Sequence, residues 1–248
     1  MRIISWNILS NEFIRKKDYP MINSKILFNR QQRLENIMRI LINLNGDIIL
    51  LQEVMQAEYN VLYKFLNNNY HIIRGENMSW YGKKSYSGNV IFLRKSIFFS
   101  NPSTANTKNT DFLQVNIDFG LYVKCYVNNT PLMILNLHLD DSTYQKRLSE
   151  IKSISKQLNE PHVILGGDFN QNYNKESQLY NLIERAGFKS LINEPTYFID
   201  KKICIDNIMI KGFNARFHSQ VINNFDGDVF KQFSAYGSDH LPVVVDTF

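Results

Sequence analysis

The chain has 248 residues, 44% of them hydrophobic, and a formal net charge of +5 at neutral pH. That length and apolar content supply a sizeable core and exclude an intrinsically disordered chain, a coiled coil and a disulfide-stapled miniprotein. The basic excess is small, common among ordinary enzymes, and by itself names no partner.

Residues 2–9 alternate and read as a strand, interrupted by the polar Asn7. From Gln31 to Leu44 the residues Leu34, Ile37, Met38, Leu41 and Leu44 share a helical face, and Gly46-Asp47 ends that helix. The apolar run Ile48 to Leu51 predicts a buried strand, and Tyr59, Leu62, Tyr63 and Leu66 mark a second amphipathic helix. Short apolar runs at 70–74, 88–94, 112–118, 121–127 and 131–138 predict a meander of strands. A helix from Thr143 to Leu158, a strand at 162–166, a helix from Lys175 to Ala186 and strands at 203–210 and 241–246 complete the chain. Helices separated by blocks of adjacent strands imply two packed sheets with helices outside, in one domain spanning 1–248.

Cys125 and Cys204 stand singly in apolar runs, without the paired spacing of a zinc site or disulfide framework, and read as buried thiols in a reducing compartment. No apolar run approaches the length of a membrane span, and Asn7 makes the short N-terminal run a poor signal peptide. The expectation is an intracellular protein, in cytoplasm or nucleus, monomeric and without membrane association.

Asn7, Glu53, His138, Asp168, Asn170, Asp206, Asp239 and His240 interrupt or follow the apolar strands, where side chains leave a rigid sheet. Each has two readings. Glu53 either caps its strand or, if buried, needs a partner such as a cation, and His138 is either a satisfied core histidine or an acid/base group. Asn7 is one of 30 asparagines in the chain, so its place inside a strand carries more weight than its type. In Gly166-Gly167-Asp168-Phe169-Asn170 the glycines permit a sharp turn, and the two-residue spacing can present both polar groups to one side. Asp206 lies in a β-branched run, where a carboxylate is costly unless it holds a histidine or a cation. Carboxylates, amides and imidazoles without cysteine suit a hard ion, Mg²⁺ or Mn²⁺.

In order along the chain, SWN at Ser5–Asn7, LLQEV at Leu50–Val54, LHL at Leu137–Leu139, GGDFN at Gly166–Asn170, CIDNI at Cys204–Ile208 and SDHLP at Ser238–Pro242 resemble the endonuclease/exonuclease/phosphatase superfamily. The resemblance implies the deoxyribonuclease I-like α/β fold, a four-layer sandwich of two central sheets flanked by helices. It also implies a Mg²⁺-dependent phosphodiesterase, with Mn²⁺ substituting. Glu53 would be the main metal ligand, with Asn7 and Asp239 assisting. Asp168 and Asn170 would orient and activate water, His138 and His240 would bond the non-bridging oxygens, and Asp206 would orient His240. The start SWNILS, Tyr19-Pro20 and Asn29 to Arg33 resemble the deadenylase and nocturnin branch, which points to an RNA 3′-exonuclease.

Tyr59 to Gly75 and YSGNVIFLRKS resemble the 5′-tyrosyl-DNA phosphodiesterases, although Asp141 and Asn172 stand where those enzymes carry serine and arginine. An inositol-phosphate or small-nucleotide phosphatase and a degenerate binding module are further alternatives on this scaffold. Basic pairs such as Arg15-Lys16-Lys17 and Lys201-Lys202, with Trp80, Tyr81 and Tyr86 as stacking faces, suit a single-stranded nucleic acid, or are an ordinary charged surface. Tyr86 and Asn172 are the expected substrate contacts.

Overall fold

The computed structural model describes residues 1–75, 77–78, 84–85, 88–100, 112–155, 158–173, 177–199, 201–225 and 227–248. In chain order the elements are β1 (Arg2–Asn7), α1 (Ser24–Leu27), α2 (Arg30–Leu44), β2 (Ile48–Val54), α3 (Gln56–Leu66), β3 (Tyr70–Arg74), β4 (Asn77–Met78), β5 (Lys84–Ser85), β6 (Gly88–Arg94) and β7 (Leu113–Ile117). There follow β8 (Gly120–Val127), β9 (Thr130–His138), α4 (Tyr144–Ser155), β10 (Val163–Asp168), α5 (Gln178–Arg185), β11 (Lys189–Ser190), β12 (Asp206–Lys211), β13 (Phe217–Val221), α6 (Val229–Tyr236) and β14 (Val243–Thr247).

Two six-stranded sheets form the centre, ordered β13-β14-β1-β2-β6-β3 and β11-β12-β10-β9-β8-β7. Alternation along the strands sorts side chains into layers. Ile3, Ile48, Leu50, Ile91 and Val245 of the first sheet meet Leu121, Val123, Ile134, Ile164 and Ile208 of the second. The opposite face of the first sheet, with Ile4, Trp6, Ile49 and Leu51, packs on Leu34, Ile37, Leu41, Leu62 and Phe233 from α2, α3 and α6. The outer face of the second, with Met133, Leu135 and Leu165, packs on Leu148, Ile151, Leu179 and Ile183 from α4 and α5. This is the expected four-layer sandwich. α2 forms where the periodicity places it because Asn29 caps its start, accepting from Gln32 N–H at 3.1 Å. Asn45, in the left-handed region at φ 50°, ends it.

The meander expectation is corrected in one respect. Strands β7, β8 and β9 do form an antiparallel meander, but β3 and β6 belong to the other sheet. Each sheet also contains a parallel pair, β1 with β2 and β9 with β10, bridged by α2 and α4. Sheet membership is set by long-range pairing, which short apolar runs do not encode.

The sheet interface is not wholly apolar. Gln52 Nε2 donates to Asn136 Oδ1 at 2.7 Å, Asn136 Nδ2 donates to Leu51 O at 2.8 Å and Val90 O at 3.0 Å, and Asn89 Nδ2 donates to Asn136 O at 2.7 Å. These bonds tie the sheets together one residue before Glu53 and two before His138. Gly167 makes another close approach possible: a Cβ there would lie 1.9 Å from Leu137 O, at φ 144°.

Candidate active site

The parallel pairs place their C-terminal ends at one cleft. Asn7 ends β1, Glu53 is the penultimate residue of β2, and His138 and Asp168 end β9 and β10. Asp168 lies in register with His138 on one side and Asp206, the first residue of β12, on the other. Asp239 and His240 arrive on the turn before β14.

Glu53 owes its direction to an irregularity: β2 slips register against β6 between Leu51 and Val54, and Glu53 itself has φ 57°. A left-handed non-glycine residue costs about 1–3 kcal/mol, a strain concentrated at functional sites. One carboxylate oxygen accepts from Asn7 Nδ2 at 2.9 Å and the other from Ser10 N–H at 2.8 Å. Burial pushes its carboxyl above the ordinary range; His138 opposes this and the charge of Asp239 adds to it.

Asp168 is buried and shared. Its Oδ2 accepts from Asn7 Nδ2 at 3.0 Å and its Oδ1 from Asn170 N–H at 2.8 Å, while the Nε2 atoms of His138 and His240 each lie 3.7 Å from Oδ2. Burial raises its pKa, assisted by Asp206 and opposed by the two histidines. Asn170, at φ 48°, turns back so that its Nδ2 donates to Leu139 O at 2.8 Å.

His240 Nδ1 is 2.9 Å from Asp206 Oδ2. Burial alone would lower the imidazole pKa, but Asp206, Asp168 and Asp239 outweigh it and hold the ring well above its usual value. Asp206 is fixed from behind, since Thr196 Oγ1 accepts the N–H groups of Ile205 and Asp206 at 3.1 and 3.0 Å. Its Oδ1 is buried without a hydrogen-bond partner among the described residues.

Asp239 Oδ2 accepts from Tyr19 O–H at 2.8 Å. Ser238 Oγ donates to Asn7 O at 2.7 Å, and Trp6 Nε1 donates to His240 O at 2.9 Å, binding the last turn to β1. The buried Arg33 joins the same region by donating to Gly237 O at 2.6 Å, to Asn11 Oδ1 at 3.1 Å and to Leu9 O.

The structure thus brings together all eight of the expected strand-end residues. Asn7, expected as a ligand, bridges two carboxylates through its amide nitrogen while its Oδ1 accepts from Leu9 N–H at 3.0 Å. Asn172 is exposed, and its Oδ1 accepts from Cys204 N–H at 3.1 Å. Tyr86, Trp80 and Tyr81 lie outside the residues whose side chains are described. Ser10 and Tyr19 are contributors that sequence reasoning missed. Tyr19 sits in an aperiodic stretch, and its only signal is the branch resemblance. Arg33 is marked as unusual by its place beside Leu34 on the buried side of α2.

The cleft holds about 820 Å³ and is lined by Glu53, His138, Asp168, Asn170, Asp239 and His240, with Phe13, Arg15, Asp18, Asp140, Asp141, Tyr197 and Lys201 around them. Its donor atoms are oxygens and imidazole nitrogens, a set that fits a hard divalent cation. Such a charge would also relieve the repulsion between Asp239 and Glu53. Asp168, Asp206 and His240 bring ligand atoms within 4.8 Å of one another as well, but a proton between His240 and Asp206 accounts for that group.

Two stacked sheets with buried carboxylates and imidazoles gathered at their strand ends define a hydrolase architecture. Residues 4–240 match the model of the Endonuclease/Exonuclease/phosphatase family, and the chain belongs to that family, whose enzymes hydrolyse phosphate esters and generally use divalent metals. A probable CCR4-Not complex 3'-5'-exoribonuclease subunit Ccr4 of Vairimorpha ceranae (strain BRL01) is 28% identical over 212 residues. The match covers 72% of this chain and 43% of that protein, so the chain spans less than half the length of this curated relative. ANGEL2, a 2',3'-cyclic phosphatase, superposes with a TM-score of 0.73 at 15% identity, over 98% of this chain and 93% of that one. D. rerio TDP2 complexed with single strand DNA product superposes with a TM-score of 0.65 at 17% identity, over 100% and 99%. Among the described residues no helix is long and apolar enough to cross a membrane.

Proposed function

We propose that the chain is a Mg²⁺-dependent phosphodiesterase of single-stranded nucleic acid, acting on RNA from the 3′ end, and that residues 1–248 form one catalytic domain. The observation that carries the reading is Asp168, flanked by the His138 and His240 rings at 3.7 Å and facing Glu53 in the same cleft. An RNA substrate is supported by the exoribonuclease relative.

Glu53 and Asp239 would hold the cation, supplying charge neutralisation at the phosphate and the leaving oxygen. Asp168 accepts a proton from the attacking water, and its Oδ1 is kept in place by Asn170 N–H. Asn7 keeps Oδ2 in a fixed direction. His240, protonated because three carboxylates surround it, donates from Nε2 to a non-bridging oxygen, while Asp206 holds Nδ1–H. His138, at the C-terminal end of β9 in the second sheet, donates to the same phosphate.

A substrate panel in Mg²⁺ tests the reading: single-stranded RNA, plain and abasic DNA, a 5′-tyrosyl oligonucleotide, 2′,5′-oligoadenylate and a soluble inositol phosphate. Stepwise 3′ shortening of RNA is expected. Tyrosine release or phosphate release from inositol phosphate in its place would overturn the substrate, and no turnover of any member would overturn the enzyme.

A further inference from the structure

The cleft has an unusual charge balance for a site that takes polyanions. Around the catalytic group, Asp18 and Asp141 add negative charge and Asp140 is offset by its ion pair with Lys146, whereas Arg15 and Lys201 are the only Lys or Arg lining the cleft among the described residues. Neither Arg15 nor Lys201 has an ion-pair partner among the described residues, and both are exposed. A backbone threading the cleft would therefore meet cationic side chains of its lining at Arg15 and Lys201.

The segment bearing Arg15 also presents an aromatic face. Phe13 lines the cleft with half of its surface exposed, while the adjacent Ile14 is buried at 8%. An exposed phenyl ring on a cleft wall offers a flat apolar face on which a base can stack. The ring is not on a loose loop: Phe13 N–H donates to Ser10 O at 3.1 Å, Ser10 N–H donates to Glu53, and Tyr19 O–H donates to Asp239. These bonds tether the wall to the carboxylates.

We propose that Phe13, Arg15 and Lys201 form a subsite for one nucleotide beside the reacting phosphate, Phe13 stacking on its base and the two cations receiving the flanking phosphates. This deepens the phosphodiesterase reading and rests on it. Stacking a base on an aromatic ring contributes about 1–3 kcal/mol, or roughly a 5- to 150-fold change in affinity. Each lost phosphate contact on a single strand reduces the slope of log Kd against log salt by about 0.7.

Binding of a fluorescein-labelled single-stranded RNA, and of the same strand with base-less residues at its 3′ end, is measured by anisotropy in Mg²⁺ on an Asp168→Asn background; turnover is measured on the otherwise unmodified protein. Phe13→Ala is expected to weaken the ordinary strand about tenfold and to leave the base-less strand unchanged. Arg15→Ala and Lys201→Ala are each expected to weaken both strands and to flatten the salt slope by about 0.7. Equal effects of Phe13→Ala on both strands, or none on either, would overturn the subsite even if RNA is hydrolysed. Discrimination of the two strands without any turnover by the unmodified protein would keep the subsite and overturn the enzymatic reading, and no binding of either strand would overturn both.

Discussion

His240 and Asp206, thirty-four positions apart, meet through a 2.9 Å contact between Nδ1 and Oδ2, and the outward nitrogen of the same ring points to Asp168. Asp206 thus sets both the tautomer and the charge of His240. Asp206→Asn replaces an acceptor by an amide and removes one of three negative neighbours. A fall in kcat of about 10²–10⁴ is expected, the range in which positioned proton-transfer groups contribute. The donor form of His240 is lost as pH rises through its raised pKa, so the alkaline limb of the kcat/KM profile moves to lower pH in the variant. An unchanged alkaline limb would remove His240 from the donor role.

Glu53 sits at φ 57° with one oxygen accepting from Asn7 and the other from Ser10, so its carboxylate is held in a fixed direction toward the cleft. Glu53→Gln is expected to abolish activity with the fold retained. Mn²⁺ is expected to raise the melting temperature of the unmodified protein, since a ligand stabilises the state that binds it, and Glu53→Gln should cancel that rise. A variant that still gains the full Mn²⁺ shift would place the cation elsewhere.

Asp168→Asn keeps the shape of the side chain and removes the proton acceptor. Substrate turnover should fall to background while circular dichroism and melting temperature stay close to those of the parent. Hydrolysis at the unmodified rate would show that the water is activated by another group.

Gly167→Ala tests the close crossing of β9 and β10. The added methyl would collide with Leu137 O at 1.9 Å in a backbone conformation that L residues avoid, costing about 2–5 kcal/mol. Urea unfolding should show a midpoint well below that of the parent, and relief of the clash would displace the neighbouring His138. Wild-type stability would contradict the packing described.

Cys125 and Cys204 are free, buried thiols, each pushed up to about 12 by burial. Their folded pKa values lie above the value of 9.0 for an unperturbed thiol, so their neutral form is part of the folded state. The associated stability is complete below pH 9 and is lost as pH rises towards 12. Both thiols should resist 5,5′-dithiobis(2-nitrobenzoate) at pH 8 until denaturant is added. Immediate reaction of either in the native protein would mean that it is exposed.

Much of this was legible in the sequence because burial forces it. Glu53, Asp168 and Asp206 stand out as charges within apolar strands, and such charges need partners. What was not legible depends on distance in the fold. The pairing of β3 with β6, away from β7, leaves no local pattern. β13 has mixed burial with no clean alternation and α6 is only eight residues long, so neither has enough period to read. Tyr19 reaches Asp239 across 220 positions, and Phe13 becomes conspicuous only once Ile14 beside it is seen to be buried. Trp80, Tyr81 and Tyr86, which the sequence offers as stacking faces beside lysines, lie outside the residues whose side chains are described.

The amide bonds of Gln52, Asn89 and Asn136 give the sheet interface a property that an all-aliphatic one lacks. Isoleucine and leucine faces can slide over one another at small cost, whereas a donor and acceptor 2.7 Å apart tolerate little sliding before the bond fails. Glu53 belongs to one sheet and Asp168 to the other, so their separation is the distance that such sliding would alter. These buried amides therefore act as a gauge block, fixing the spacing of the two halves of the site from within the core.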